Sequence, residues 1–210
     1  MGAASIAQVY RGVLRNGKEV AVKVQRPGVA AATKLDMEIL AQAVKLAMKR
    51  APDIAEIFQP EAMLEVVFSA MRPEIDFTVE AKNMEDFRDL LERYDDIAVP
   101  DVIKATKEVL IMSKAPGVSI RECRLEDFTR KERENIGRQI CEMLFRGFLV
   151  DGIFHADPHP GNIFVAPGEP ATIIDYGIIG KIDRRTALGY TRFMVAMAVN
   201  DGEVAGRAAL

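Results

Sequence analysis

The sequence predicts an α+β fold in two successive parts, a small antiparallel sheet carrying a helical insert and then a mainly helical region. Three observations predict it. Two β-rich runs, Gln8–Leu14 and Lys18–Val24, flank Asn16-Gly17, the strongest short-range hairpin signal. Long amphipathic stretches of helical period dominate the later half. Between them Ala115-Pro116-Gly117 punctuates the chain, so the expected domains are residues 1–115 and 116–210.

Each element has its own signal. After Gln25-Arg26-Pro27-Gly28, the stretch Val29–Arg50 holds neither Gly nor Pro, and Leu35, Ile39, Leu40, Val44 and Met48 recur at helical spacing. A loop is expected at 52–60, then a helix at Glu61–Met71 with Pro73 as its boundary. Glu74–Tyr94 reads as one further helix, with Phe77, Ala81, Met84, Phe87 and Leu91 on one face. The methionines at 37, 48, 63, 71 and 84 fall at core-like positions and are read as packing. Ile97–Val99, Val102–Thr106 and Val109–Met112 read as strands. Thr129 with Glu132 makes a capping box for a helix over Thr129–Val150, which Asp151-Gly152 stops. Ile163–Val165 and Thr172–Ile174 are short strands, and the chain turns helical again from Asp183.

Composition narrows the function classes. The 210 residues are 49% hydrophobic and 28% charged, which excludes disordered and collagen-like chains. With 28 basic against 31 acidic residues the net charge is −3, giving no bulk electrostatic reason to bind nucleic acid. Cys123 and Cys141 are too few and too far apart for a disulfide framework or a Cys-x-x-Cys site. No stretch reaches the roughly 20 apolar residues of a membrane span.

The chemistry concentrates in His155-Ala156-Asp157-Pro158-His159-Pro160-Gly161-Asn162 and Asp175-Tyr176-Gly177. Asp157 and Asn162 are five positions apart, as in the H-R-D-x-x-x-x-N loop of phosphoryl-transfer enzymes, and Asp175-Tyr176-Gly177 stands where D-F-G does. Phosphoryl transfer from ATP needs Mg²⁺, which wants hard oxygen ligands such as those of Asn162 and Asp175. It also needs a carboxylate to accept the nucleophile's proton, a role open to Asp157. Val20-Ala21-Val22-Lys23-Val24 matches the V-A-I-K strand whose lysine meets the phosphates. A helix carboxylate should hold that lysine, with Glu74 and Glu80 as candidates. His155, Asp157 and His159 alternate as a metal triad would, but Pro158 and Pro160 oppose a regular strand, so His155 is read as bracing the loop.

Together these motifs resemble those of the UbiB (AarF) family of atypical protein-kinase-like ATPases linked to ubiquinone and other isoprenoid-lipid metabolism. Gly2-Ala3-Ala4-Ser5-Ile6-Ala7-Gln8-Val9-Tyr10 is similar to that family's alanine-rich loop, and Glu74-Ile75-Asp76 with Glu80-Ala81 and Asn83 to its E-x-D…E-A-x-N helix. The resemblance implies a bilobal protein-kinase-like fold with ATP and Mg²⁺ as cofactors. It implies Ala3, Ala4 and Ser5 over the phosphates, Lys23 on them and paired with Glu74, and Asp157 as catalytic aspartate. Asn162 and Asp175 would hold the metal, and Met112, Ser113, Lys114 and Ala115 would form the backbone hinge for adenine. Glu74 is thus the favoured partner of Lys23 and Glu80 the alternative. Because Ala carries a Cβ that resists positive φ and close approach, the alanine loop is expected to alter nucleotide handling.

Two other functions compete, a small-molecule phosphotransferase of the aminoglycoside or choline kinase type and a nucleotide-binding scaffold without turnover. The resemblance further implies an isoprenoid lipid or membrane surface as partner. The expectation is a catalytic-core fragment of marginal stability, cytoplasmic, and membrane-associated through regions outside this chain.

Overall fold

The computed structural model describes residues 2–3, 6–50 and 59–208. In chain order the strands are β1 (Gly2–Ala3), β2 (Ala7–Val13), β3 (Glu19–Gln25), β4 (Ile97–Ala98), β5 (Val102–Ala105), β6 (Val109–Ser113), β7 (Val118–Ser119), β8 (Ile153–His155), β9 (Ile163–Val165), β10 (Ala171–Ile173) and β11 (Ile179–Lys181). Among the described residues the α-helices are α1 (Val29–Arg50), α2 (Pro60–Glu74), α3 (Phe77–Leu91), α4 (Arg130–Arg146), α5 (Arg184–Ala198) and α6 (Gly202–Ala208). The chain forms two compact units, one of Met1–Glu85 with Pro100–Lys114, the other of Asp86–Val99 with Ala115–Leu210.

The first unit is built on a five-stranded sheet in the order β1-β2-β3-β6-β5, every neighbouring pair antiparallel. The Asn16-Gly17 hairpin forms as a type I turn closed by Gly17 at φ +84°, a conformation glycine takes without a Cβ penalty. Val20, Leu110 and Met112 are buried in this sheet. The insert folds as α1 and α2, but α1 buries no residue fully, and Leu35, Ile39, Leu40 and Leu46 are exposed. Met84 is completely buried, whereas Met63 and Met71 are exposed, which corrects their reading as packing residues.

The single helix expected over Glu74–Tyr94 is broken at Ile75-Asp76. The cause is local. Pro73 lies in the last turn of α2, and its carbonyl accepts the Asp76 N–H at 3.0 Å. The Asp76 carboxylate then caps α3, accepting the Thr78 N–H at 3.0 Å and the Thr78 hydroxyl at 2.5 Å. The Phe77 N–H is held by the Lys107 carbonyl at 3.1 Å, tying the start of α3 to the β5–β6 turn.

The second unit contains a four-stranded sheet, β4-β10-β9-β7, in which only the β4–β10 pair is parallel, and a separate β8–β11 pair. The capping box of α4 is present in full, with Thr129 and Glu132 exchanging side-chain and backbone bonds. Helix α4 runs on into a π-turn at Gly147–Asp151, and Gly152 at φ +73° turns the chain into β8. Asp183 caps α5 through the N–H groups of Arg185 and Thr186. No described helix is long and apolar enough to cross a membrane.

Candidate active site

In the first unit Lys23 sits in the middle of β3, opposite Val9 on β2 and Leu110 on β6. Its Nζ donates to Glu80 Oε1 at 2.5 Å, and both side chains are at least nine-tenths buried. Glu80 lies in the first turn of α3, where the helix dipole favours a carboxylate. Of the two candidate carboxylates, the one found against Lys23 is Glu80, the alternative to the favoured Glu74. The helix break explains the difference, because it leaves Glu74 at the end of α2, only half-buried, and puts Glu80 one turn inside the helix that follows.

Ala3 lies in β1, opposite Gln8, while Ala4 and Ser5 are outside the described residues. Met112 and Ser113 end β6 against Ala21 and Val20. The Ser113 N–H donates to the Asp101 carbonyl at 2.8 Å and the Lys114 N–H to that of Glu19 at 3.4 Å. Both N–H groups are thus engaged within the first unit. The Lys114 ammonium is held by Glu19 at 3.0 Å, and Ala115 is buried.

In the second unit the loop that follows β8 is braced by His155. Its Nδ1 accepts the Asp157 N–H at 3.2 Å, so the ring proton sits on Nε2, which lies 2.6 Å from the Asp175 carbonyl oxygen. The buried ring also packs edge-on against Tyr176 and Phe87. Burial holds the imidazole pKa below its ordinary value, the Asp175 carbonyl opposing that shift. Tyr176 itself is completely buried, and burial drives its phenol pKa up.

The β9–β10 hairpin brings Asn162 and Asp175 to its open end, where the Ile174 N–H donates to the Asn162 carbonyl at 2.9 Å. Asp175 Oδ1 also accepts the Gly177 N–H at 3.1 Å, which fixes the carboxylate relative to its own turn. An amide oxygen and a carboxylate oxygen are hard donors suited to Mg²⁺, a cation that keeps several waters and takes few protein ligands. Among the described residues no group of three or more His, Cys, Asp and Glu side chains is placed to hold a metal. His155–Asp157–His159 is accordingly no metal triad, since both ring nitrogens of His155 and Nδ1 of His159 already meet backbone groups.

Three contacts were not read from the sequence. Asp76 is a helix cap, foreshadowed by its spacing to Thr78. Glu132 Oε1 accepts the Gly168 N–H at 2.8 Å, so the cap of α4 also grips the β9–β10 turn. His159 faces Asp157, its Nε2 3.7 Å from Oδ2.

Comparison with known proteins places the chain in a family and a fold. The family model described as ABC1 atypical kinase-like domain matches residues 1–208. An AarF domain-containing protein kinase 1 from Xenopus tropicalis is 29% identical over 212 residues, covering 96% of this chain and 39% of that protein. The structure of Rv3197 with erythromycin, from Mycobacterium tuberculosis, superposes with a TM-score of 0.70 at 24% identity, covering 98% of this chain and 51% of that one. The Rio2 kinase–ADP/Mg²⁺–phosphoaspartate complex from Chaetomium thermophilum gives a TM-score of 0.50 at 15% identity, with 98% and 52% covered. The fold is that of a kinase, and the chain spans about half or less of the proteins it is matched with here.

Proposed function

The chain belongs to the ABC1 atypical kinase-like family, and from that premise we propose that it binds ATP with Mg²⁺ and transfers or hydrolyses the terminal phosphoryl group. The observation that carries this reading is the buried Lys23–Glu80 pair. Burying two charges costs more than packing two apolar side chains of the same size, so the pair has no simple stability rationale. Holding a lysine ammonium at a fixed place for phosphate oxygens supplies one.

The other residues take complementary roles. Asp157 accepts the proton of the attacking water or hydroxyl. His155 fixes the backbone at Asp157 and Asp175 together. Asn162 and Asp175 are the residues that would hold the Mg²⁺, which when bound neutralises charge on the phosphates. The Ser113 and Lys114 carbonyls are the groups offered to the base.

From Gly177 the chain runs through β11 directly to the Asp183 cap of α5, which leaves no long segment for seating a peptide. This favours hydrolysis or a small acceptor over protein phosphorylation. Within that choice the resemblance to UbiB proteins points to an isoprenoid or quinone-related lipid acceptor at a membrane surface, with a small hydroxyl compound as the second reading.

The test is calorimetric titration of the chain with ATP, with and without Mg²⁺, beside phosphate release. Mg²⁺-dependent binding that Asp175→Asn weakens about tenfold or more is expected. No binding by the wild type, or equal binding by Asp175→Asn, overturns the reading. Phosphate release from ATP alone supports the hydrolase, and turnover that appears only with a hydroxyl compound supports the second reading.

A further inference from the structure

Resting on the reading of Asp157 as proton acceptor, we propose that His159 is the positioning residue that orients the Asp157 carboxylate. Three features of the loop converge on this pair. The His159 N–H donates to the Asp157 carbonyl at 2.9 Å, closing a three-residue turn around Pro158. The fixed φ of proline suits the centre of such a turn, and the turn brings the side chains on either side of it together.

The ring of His159 is then locked from the other direction. Its Nδ1 accepts the Gly161 N–H at 3.0 Å. Gly161 permits this, because a Cβ there would lie 2.8 Å from His159 Cε1. With Nδ1 as acceptor the ring proton is on Nε2, and Nε2 is the atom 3.7 Å from Asp157 Oδ2.

Both side chains are about half exposed, at 47% and 51%, so there is room for a small rotation to close that gap. Catalytic hydrogen bonds in empty sites are commonly long and tighten on binding. Engaging Oδ2 turns Oδ1 toward the nucleophile. His155 holds the backbone of Asp157 and His159 its carboxylate, so the two histidines of the loop divide one task.

Two substitutions separate this role from a purely structural one. In His159→Asn the amide oxygen still accepts the Gly161 N–H, but nothing donates to Asp157. In His159→Gln the amide nitrogen reaches the Nε2 position, and the Gly161 acceptor is lost. With phosphate release from Mg²⁺-ATP as the assay, His159→Asn is expected to lose about tenfold or more in kcat, with KM for ATP within about twofold. His159→Gln is expected to keep kcat within about threefold. Wild-type kcat in His159→Asn, or an equal loss in both variants, overturns the proposal.

A second readout needs no turnover. Imidazole ¹⁵N shifts of the unliganded chain should show the Nε2–H tautomer at His159, with an Nε2 signal that moves in Asp157→Asn. An Nδ1–H tautomer, or a signal that does not move, overturns the proposal. A wild type that releases no phosphate overturns the functional reading and this inference with it. Release that His159→Asn leaves intact overturns the inference alone.

Discussion

Lys23 and Glu80 meet at 2.5 Å with almost no exposure to solvent. Breaking a buried charge pair by removing one member typically costs about 3–5 kcal/mol. Glu80→Gln should therefore lower the urea midpoint strongly. Glu65→Gln, which takes an exposed partner from Arg72, should leave it unchanged. His155 gives a second residue-scale expectation. Burial lowers its pKa, so the unfolded chain takes up a proton more readily than the folded one. Stability should be intact above the ordinary histidine pKa of about 6.5 and decline as pH falls below it toward the lower folded value. Urea midpoints between pH 8 and pH 5 check this, and His155→Gln should flatten the profile. Gly117 combines φ +72° with a missing Cβ that would stand 1.9 Å from the Val165 carbonyl oxygen. Gly17, at φ +84°, has open space around it. Gly17→Ala should cost about 1 kcal/mol of backbone strain, and Gly117→Ala clearly more, because the β7–β9 backbones must separate.

At the scale of elements, the start of α4 does two jobs. Thr129 and Glu132 satisfy its first N–H groups, and Glu132 also receives the Gly168 N–H of the hairpin that joins Asn162 to Asp175. Thr129→Ala should cost about 1 kcal/mol by thermal melting. Glu132→Ala should in addition speed amide exchange at Gly168, a change Thr129→Ala need not produce. The capping box was legible in the sequence because its signal is local, two residue types three positions apart. The break between α2 and α3 was equally local, written in Pro73 and in Asp76 with Thr78, but the apolar period of Phe77 to Leu91 overshadowed it. That period says that a helix has one apolar face and not where the helix begins, and so Glu74 was favoured over Glu80. The β8–β11 pair went unread for a different reason. Each strand has three residues, too few to show an alternation, and the pairing joins Ile153–His155 to Ile179–Lys181 across the whole loop and hairpin.

For the whole molecule, the family and the kinase fold were legible because the motifs from Lys23 to Asp175 stand in the order and spacing on which the family resemblance rests. What no single sequence conveys is which apolar stripes end up covered. Leu35, Ile39 and Leu40 recur at helical spacing as Phe77, Ala81 and Met84 do, yet the first set is exposed and the second buried. The burial of Tyr176 has one more consequence, an optical one. The chain has four tyrosines and no tryptophan, so its near-ultraviolet absorption is essentially tyrosine. Burial raises the phenol pKa of Tyr94 and, much further, of Tyr176. Above about pH 10, where a free phenol ionises, Tyr176 should stay un-ionised until the packing around His155 and Phe87 opens. In an alkaline spectrophotometric titration the last increment of tyrosinate should therefore appear together with the loss of far-ultraviolet ellipticity, and Tyr176→Phe should remove that increment alone. The Tyr176 ring, next in sequence to Asp175, then serves as a built-in chromophore that reports when this part of the molecule comes apart.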